Sequence, residues 1–268
     1  MLRDVLGAWG RRRSTGASSF HLIWEMPGEE GSPSRLSRVR RRLVEVSAVL
    51  EVLAPPRDQA LYFWALQVDL ADDRGVWGGA HTGLQWNQRY PQGKAVNWGG
   101  YCPEGGHLLT GTISALPGFP DDPNTVFYPW RAGRPYRLRV YASPEQEEAW
   151  RAEVTDLESG ESTPIRDLLP PSGRGRSGSR LLRPMVWTEV FADCDAPSVT
   201  ARWSDLQARD ENGASVRPLD VRVNYQSLAE GGCPNTTVLE EKAGVFLQVT
   251  NAARVVPQGA RLPVFPAE

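Results

Sequence analysis

The chain has 268 residues, a size that fits one large domain or two small ones. Hydrophobic residues make up 40% of it and charged residues 23%, which excludes a wholly disordered chain. The formal net charge is −2, so no overall basic field attracts nucleic acid, and no apolar run is long enough to span a bilayer. The 26 glycines and 22 prolines favour a fold with many turns.

The N-terminal segment carries basic residues but no recognisable export signal. Arg11, Arg12 and Arg13 are followed by small and polar residues rather than by an apolar stretch. We therefore predict a basic flexible arm over residues 1–17 and one β-sandwich domain over residues 18–268. The expected location is the cytoplasm, with secretion left open.

Three cysteines are present, Cys102, Cys194 and Cys233, and no two of them form a CxxC pair. This spacing excludes a zinc ribbon and a thioredoxin-type motif. Cys194 and Cys233 could pair in an exported protein, but a cytoplasmic chain keeps its thiols reduced, and reduced thiols are the expectation. With three histidines in all, a three-histidine metal site is rejected, and we predict no metal and no cofactor.

Alternating apolar and polar residues between turn signals predict about a dozen strands. In chain order the segments are 20–25, 44–52, 60–70, 76–86, 94–101, 107–113, 135–142, 149–157, 181–192, 198–208, 219–226 and 243–250. The stretch 36–53 also has apolar residues at helical spacing, but the valines of 44–52 and the following Pro55-Pro56 pair favour a strand. A flexible loop is predicted over 170–180 from its Gly, Ser and Arg content.

Strands without intervening helices predict an all-β fold, an antiparallel two-sheet jelly-roll sandwich of concanavalin A-like type. No repeat of propeller-blade length occurs. Residues that share the inward face of their strands form the predicted core: Trp64, Leu66, Leu84, Trp86 and Trp98.

The predicted strand 76–86 suggests a ligand surface. Period-two spacing places Trp77, His81 and Gln85 on one face, with Gly79 and Gly83 between them. Because a glycine leaves room for another group to approach the backbone, this face is a candidate for ligand binding.

Two other predicted strands repeat this chemistry. Asn97 and Tyr101 lie on one face around Gly99, and Glu189 shares a face with Trp187. We expect Asn97, Tyr101 and Glu189 to join the same ligand-binding site. Asn97 would hydrogen-bond to the ligand, as would His81 and Gln85. Trp77 or Tyr101 would offer a stacking surface.

The segment Lys242-Ala243-Gly244-Val245-Phe246-Leu247-Gln248 resembles the Lys-Ala-Gly-x-Tyr-x-Gln strand of alginate lyase-type polysaccharide lyases. The resemblance implies that Lys242, Phe246 and Gln248 share one face and belong to the ligand site. Glu240 stands where those enzymes have a catalytic tyrosine, and their Gln-x-His motif has no counterpart in the same order.

Longer stretches of the chain resemble a family of uncharacterised bacterial β-sandwich proteins of concanavalin A-like type. They are GGAHTGLQWN, AVNWGGY, YPWRAGRPYRLRV and VRVNYQS. This resemblance implies the sandwich fold and no particular reaction.

Aromatic rings suit the C–H faces of sugars, and planar amides suit their hydroxyl groups. We therefore expect lectin-like, non-enzymatic binding of a glycan or small polar ligand on a concave sheet face. The alternatives are a polysaccharide lyase or glycoside hydrolase with an altered catalytic set, and a structural or partner-binding module. No nucleic-acid or membrane partner is predicted, and the oligomeric state is left open.

Overall fold

The computed structural model describes residues 17–27, 41–103, 106–175 and 177–265. The predicted N-terminal arm, except for Ala17, lies outside these ranges. The strands within them are β1 (Ser18–Glu25), β2 (Leu43–Val52), β3 (Tyr62–Asp72), β4 (Gly75–Trp86), β5 (Lys94–Tyr101), β6 (Gly118–Phe119), β7 (Asp122–Phe127), β8 (Pro135–Ala142), β9 (Trp150–Asp156), β10 (Ser162–Leu168), β11 (Arg180–Val190), β12 (Thr200–Asp210), β13 (Ser215–Val216), β14 (Asp220–Tyr225), β15 (Thr237–Lys242), β16 (Val245–Val249) and β17 (Arg261–Pro263). Two short 3₁₀ turns span Pro91–Gly93 and Leu228–Glu230.

The strands form two antiparallel sheets. The first sheet has the order β6–β7–β5–β4–β3–β11–β1–β14–β17. The second has the order β15–β16–β12–β2–β8–β9–β10, with β13 beside the end of β12. The sheets meet where Leu43 lies opposite Leu181. The predicted all-β antiparallel sandwich is confirmed.

One continuous apolar core lies between the sheets, and it contains most of the tryptophans. Six of them are almost completely buried: Trp24, Trp64, Trp98, Trp130, Trp150 and Trp203. The predicted core residues Leu66 and Leu84 are also fully buried, whereas Trp86 is half-buried at the edge, where its indole N–H donates to the Asp58 carbonyl at 3.0 Å. The high tryptophan content therefore serves packing rather than sugar stacking.

The ambiguous stretch 36–53 contains the strand β2. Its alternation places Val46, Ala48 and Leu50 in the core, and the helical alternative is wrong for this part. Residues 36–40 lie outside the described ranges.

The predicted loop 170–180 is tied to the first sheet in part. The Arg174 guanidinium donates to both carboxylate oxygens of Asp72, at 2.8 and 3.0 Å, and to the Gly75 carbonyl. Strand β11 begins at Arg180, inside the predicted loop.

Cys194 and Cys233 form a disulfide, with their Cα atoms 5.5 Å apart, and Cys102 is free. The expectation of three reduced thiols is therefore wrong for this structure. The bridge joins the β11–β12 loop to the segment that leads into β15. In the described part of the chain, no helix is long and apolar enough to cross a membrane.

Candidate functional site

The candidate site lies on the face of the first sheet that is turned away from the core, which we call the outer face. In strands β3, β4 and β11 the alternate residues that do not enter the core lie on this face. They include six side chains with ring, amide, imidazole or carboxyl groups: Phe63, Gln67, His81, Gln85, Trp187 and Glu189.

The strand register brings these side chains into rows that run across the sheet. Phe63 lies between Gln85 on β4 and Glu189 on β11, and Ser19 of β1 follows Glu189. Since residues directly opposite each other have Cβ atoms about 5 Å apart, each row forms one connected surface. A second row contains Trp187.

An aromatic cluster occupies the centre of the outer face. The Phe63 and Trp187 rings lie edge-on with centroids 4.9 Å apart, and the His81 ring contacts both, at 5.4 and 5.6 Å. Phe63 and Trp187 are only 4% and 5% exposed although they face away from the core. The Trp187 indole N–H donates to Gln67 Oε1 at 2.9 Å, which fixes the orientation of the ring.

Burial shifts the pKa values of three titratable groups of this face toward their neutral forms. It lowers the pKa of His81 to about 4 and also lowers the pKa of His21. Burial raises the pKa of the Glu189 carboxyl. In the described ranges, Glu189 has no hydrogen-bond or ion-pair partner. Glu189 can therefore act as a proton donor at a higher pH than an exposed carboxyl.

An open pocket of about 540 Å³ adjoins this cluster over β1 and β14. Its lining is mostly polar: Ser19, His21, Asn224, Tyr225, Gln226, Ser227, Glu230 and Gln258. His21 lies opposite both Trp187 and Asn224, so the pocket continues the outer face. The Gln258 amide donates to Asn224 Oδ1 at 2.8 Å, and the Asn224 amide contacts His21 Nδ1 at 3.3 Å.

The glycines of the outer face differ in what lies above them. A Cβ at Gly83 would stand 1.9 Å from the Trp64 carbonyl oxygen, and a Cβ at Gly99 would stand 2.5 Å from the Asn124 side chain. These two glycines therefore serve close internal packing. Gly79 is the least crowded of the three, because a Cβ there would meet only Asp69 Oδ1 among the described residues, at an ordinary contact distance of 3.8 Å.

The structure places several predicted site residues on the outer face. His81, Gln85, Asn97, Tyr101 and Glu189 all share it. Tyr101 is 51% exposed, whereas Gln85 and Asn97 are buried. Asn97 donates to Thr125 Oγ1 at 3.1 Å, and Gln85 Oε1 accepts from Asn87 at 3.2 Å. The predicted convergence is therefore partial.

Trp77 does not lie on the outer face, and its predicted role as a stacking surface is wrong. The pairing of β3 with β4 shifts between Leu70 and Ala71, which leaves Trp77 as an extra residue in β4. Such a bulge reverses the alternation, and Trp77 packs in the core at 3% exposure.

The three residues taken from the lyase resemblance do not join the site. Phe246 and Gln248 are fully buried, and Gln248 is held by hydrogen bonds to Thr188, Trp203 and the Phe20 carbonyl. Lys242 is exposed on β15, because a turn at 243–244 separates it from β16. The shared face predicted for Lys242 and Phe246 is therefore wrong.

The candidate site includes residues that the initial site prediction omitted. Phe63, Gln67 and Asp69 follow from the alternation in β3, and Asn224 follows from that in β14. His21 has no sequence signal of its own, because its place in the pocket depends on the pairing of β1 with β14. In the described part of the chain, no group of three His, Cys, Asp or Glu residues could hold a metal ion.

No family model and no curated protein match the chain. Among solved structures, it is similar to scytalido-glutamic peptidase bound to a peptide-based transition state analogue, with a TM-score of 0.44 and 12% identity over 87% of this chain and 97% of that chain. It is similar to peanut lectin bound to a 9-residue peptide, with a TM-score of 0.31 and 10% identity over 89% and 83%. It is also similar to a β-porphyranase from the human gut bacterium Bacteroides plebeius, with a TM-score of 0.26 and 9% identity over 65% and 64%. None of these likenesses assigns a function.

Proposed function

We propose that the outer face of the first sheet binds a glycan non-covalently, with the pocket over β1 and β14 as the main contact region. The observation that carries this proposal is the open pocket lined by hydroxyl, amide and imidazole groups next to the aromatic cluster. A sugar offers hydroxyl groups that both donate and accept hydrogen bonds, and amides match both functions.

The neutral histidines of the face support a neutral polar ligand. Both histidines stay neutral at pH 7, because burial lowers their pKa values. Asn224 lies between His21 and Gln258 and bonds with both, so its amide is held in a fixed orientation. A pre-oriented group loses little conformational entropy when a ligand binds.

The binding test is a panel of neutral oligosaccharides built from glucose, mannose, galactose or xylose, measured by calorimetry. Asn224→Leu removes the central amide at similar volume and should weaken binding by at least tenfold. The control Gln146→Leu changes an exposed amide before β9 and should leave binding unchanged. Absence of binding by the wild-type protein across the panel would refute the proposal.

Glu189 favours a second candidate function, acid-assisted hydrolysis. A half-buried carboxyl with a raised pKa and no partner among the described residues is suited to general acid catalysis. A mechanism with two carboxylates would need a partner within about 10 Å. Asp69 is another carboxylate of the outer face, six positions along β3 from Phe63, which lies opposite Glu189. The distance from Asp69 to Glu189 is therefore about 20 Å, too long for Asp69 to be this partner.

An assay of oligosaccharide cleavage at pH values from 4 to 7, with the products detected by chromatography, tests this second function. Cleavage that disappears in Glu189→Gln while binding persists would support it. If the oligosaccharides stay intact throughout this pH range, hydrolysis is refuted and only the binding function remains.

A further inference from the structure

The uncrowded position of Gly79 marks a second feature of the outer face, away from the pocket over β1 and β14. Gly79 lies opposite Tyr101 on one side and opposite Asp69 on the other. Tyr101 and Asp69 are thus two strand spacings apart, about 10 Å between Cα atoms. This leaves a slot with a bare glycine as its floor and a side chain as each wall.

The Tyr101 wall is an accessible aromatic ring. Tyr101 is 51% exposed at the end of β5, in contrast to the buried rings of Phe63 and Trp187. It is therefore the ring of the outer face best placed to stack on a ligand. An accessible aromatic surface matches the apolar C–H face of a sugar.

The Asp69 wall presents both an acceptor and donors. Asp69 Oδ2 accepts a hydrogen bond from Arg183 Nε, and Asp69 Oδ1 is the atom that a Cβ at Gly79 would meet, at 3.8 Å. The Arg183 side chain is 67% exposed, and its bond to Asp69 uses only one of its five N–H donors. The pair can accept from one hydroxyl group and donate to a second.

A β-bulge positions Arg183. The pairing of β11 with β3 shifts between Leu182 and Met185, and Arg183 has a left-handed backbone with φ of 46° just before Pro184. This conformation is costly for a residue with a side chain, and bulges redirect side chains next to functional sites. The chain holds a strained arginine at the rim of the slot.

We propose that this slot is a subsite for one neutral pyranose ring with two adjacent hydroxyl groups, an inference that rests on the proposed glycan binding. Tyr101 stacks on the ring, Asp69 accepts a hydrogen bond from one hydroxyl, and Arg183 donates to the other. The Asp69–Arg183 pair has no net charge, so a neutral diol binds without leaving a buried charge unpaired. A sugar carboxylate would instead approach the Asp69 carboxylate.

Substitution of Gly79 tests the slot without disturbing the fold. Its backbone does not have a positive φ, and an added Cβ meets only ordinary contacts. Gly79→Val should therefore keep the melting temperature at or above that of the wild type, because valine favours strands. It should weaken binding of neutral oligosaccharides from the panel by at least tenfold.

Two further variants and one control complete the test. Tyr101→Ala and Arg183→Gln should each weaken the same binding by at least fivefold. Leu157→Ala changes an exposed apolar residue after β9 and should have no effect. The panel also includes glucuronate and galacturonate oligosaccharides, which should bind more weakly than their neutral counterparts.

The outcomes separate the slot from the proposed function. If Gly79→Val binds as the wild type does while Asn224→Leu loses binding, the proposal that the slot is a sugar subsite is refuted and the proposed glycan binding stands. If the uronate oligosaccharides bind best and Arg183→Gln removes that preference, the proposal that the slot binds a neutral ring is refuted. If no oligosaccharide binds to the wild-type protein, both proposals fail.

Discussion

Two titratable residues of the outer face, His81 and Glu189, have pKa values that are shifted by burial and not by charged partners. Burial lowers the pKa of His81 to about 4 and raises the pKa of Glu189. Both groups therefore favour their neutral forms, and this gives the stability of the protein a defined dependence on pH.

His81 should make the folded state less stable as the pH falls. Its ordinary pKa is 6.5, so below this pH the unfolded chain takes up a proton that the folded protein does not bind until about pH 4. The free energy of unfolding should fall over this window by at most about 3 kcal/mol through this group. Urea denaturation at pH 7 and pH 4.5 measures this change. His81→Gln should lose less unfolding free energy between the two pH values than the wild type does, and equal losses would contradict the role of His81.

Glu189 should act in the opposite direction. Because its pKa is raised in the folded protein, its contribution to stability is greatest when it is protonated and declines as the pH rises through its folded pKa. Glu189→Gln should therefore gain stability relative to the wild type between pH 4 and pH 7. The same denaturation series measures it, and a variant that is less stable at pH 7 would point to a stabilising contact of the carboxylate.

Trp77→Ala should destabilise the protein by about 3 to 5 kcal/mol, since it empties a large volume in the core. Chemical denaturation measures this loss. Tyr101→Ala is the matched control, because its ring is exposed and its loss should cost less than about 1 kcal/mol. Similar stability of the two variants would place Trp77 outside the core.

At the scale of elements, alternation alone predicts most strands and fails where a strand is interrupted. The face of His81 and Asn97 follows from period two because β4 and β5 pair without a shift over these residues. Trp77 is itself the extra residue of the bulge in β4, and no local residue signals this insertion.

The C-terminal hairpin shows a second limit of sequence patterns. The segment 242–248 matches one continuous strand in its spacing, yet Gly244 adopts a left-handed backbone with φ of 75°. That turn separates Lys242 from Phe246. Alanine and glycine fit both a strand and a turn, so the tertiary context decides between them.

The site depends on pairings between distant segments, which a single sequence does not contain. The pocket needs His21 and Asn224 side by side, although 203 residues separate them along the chain. The same holds for the Asp69–Arg183 pair, which joins β3 to a bulge in β11. The alternation within a strand does not show which side chains of other strands become its neighbours.

At the scale of the whole molecule, the disulfide links two long connections of the sandwich. The bridged cysteines are 39 positions apart, so cross-linking restricts the unfolded chain substantially. The double variant Cys194→Ala/Cys233→Ala should lose about 4 kcal/mol of unfolding free energy. In oxidised wild-type protein, thiol titration under denaturing, non-reducing conditions should find one reactive thiol, Cys102; three would contradict the bridge.

The sandwich gives its two sheets different external surfaces. The second sheet carries ion pairs on its outside, such as Arg139 with Glu45 and Arg202 with Glu51, both at 2.7 Å. The first sheet carries ion pairs as well, such as Arg222 with Glu25 at 2.9 Å, together with the aromatic cluster and the amide groups. The aromatic cluster and the polar pocket beside it make the first sheet the expected binding surface.

A crystal structure of the protein soaked with a neutral oligosaccharide from the panel tests the central claim most directly. We predict electron density for the sugar on the outer face of the first sheet, with one ring above Gly79 between Tyr101 and Asp69, and contacts to Asn224 in the pocket. Density for the sugar on the outside of the second sheet, with the outer face of the first sheet empty, would contradict the account.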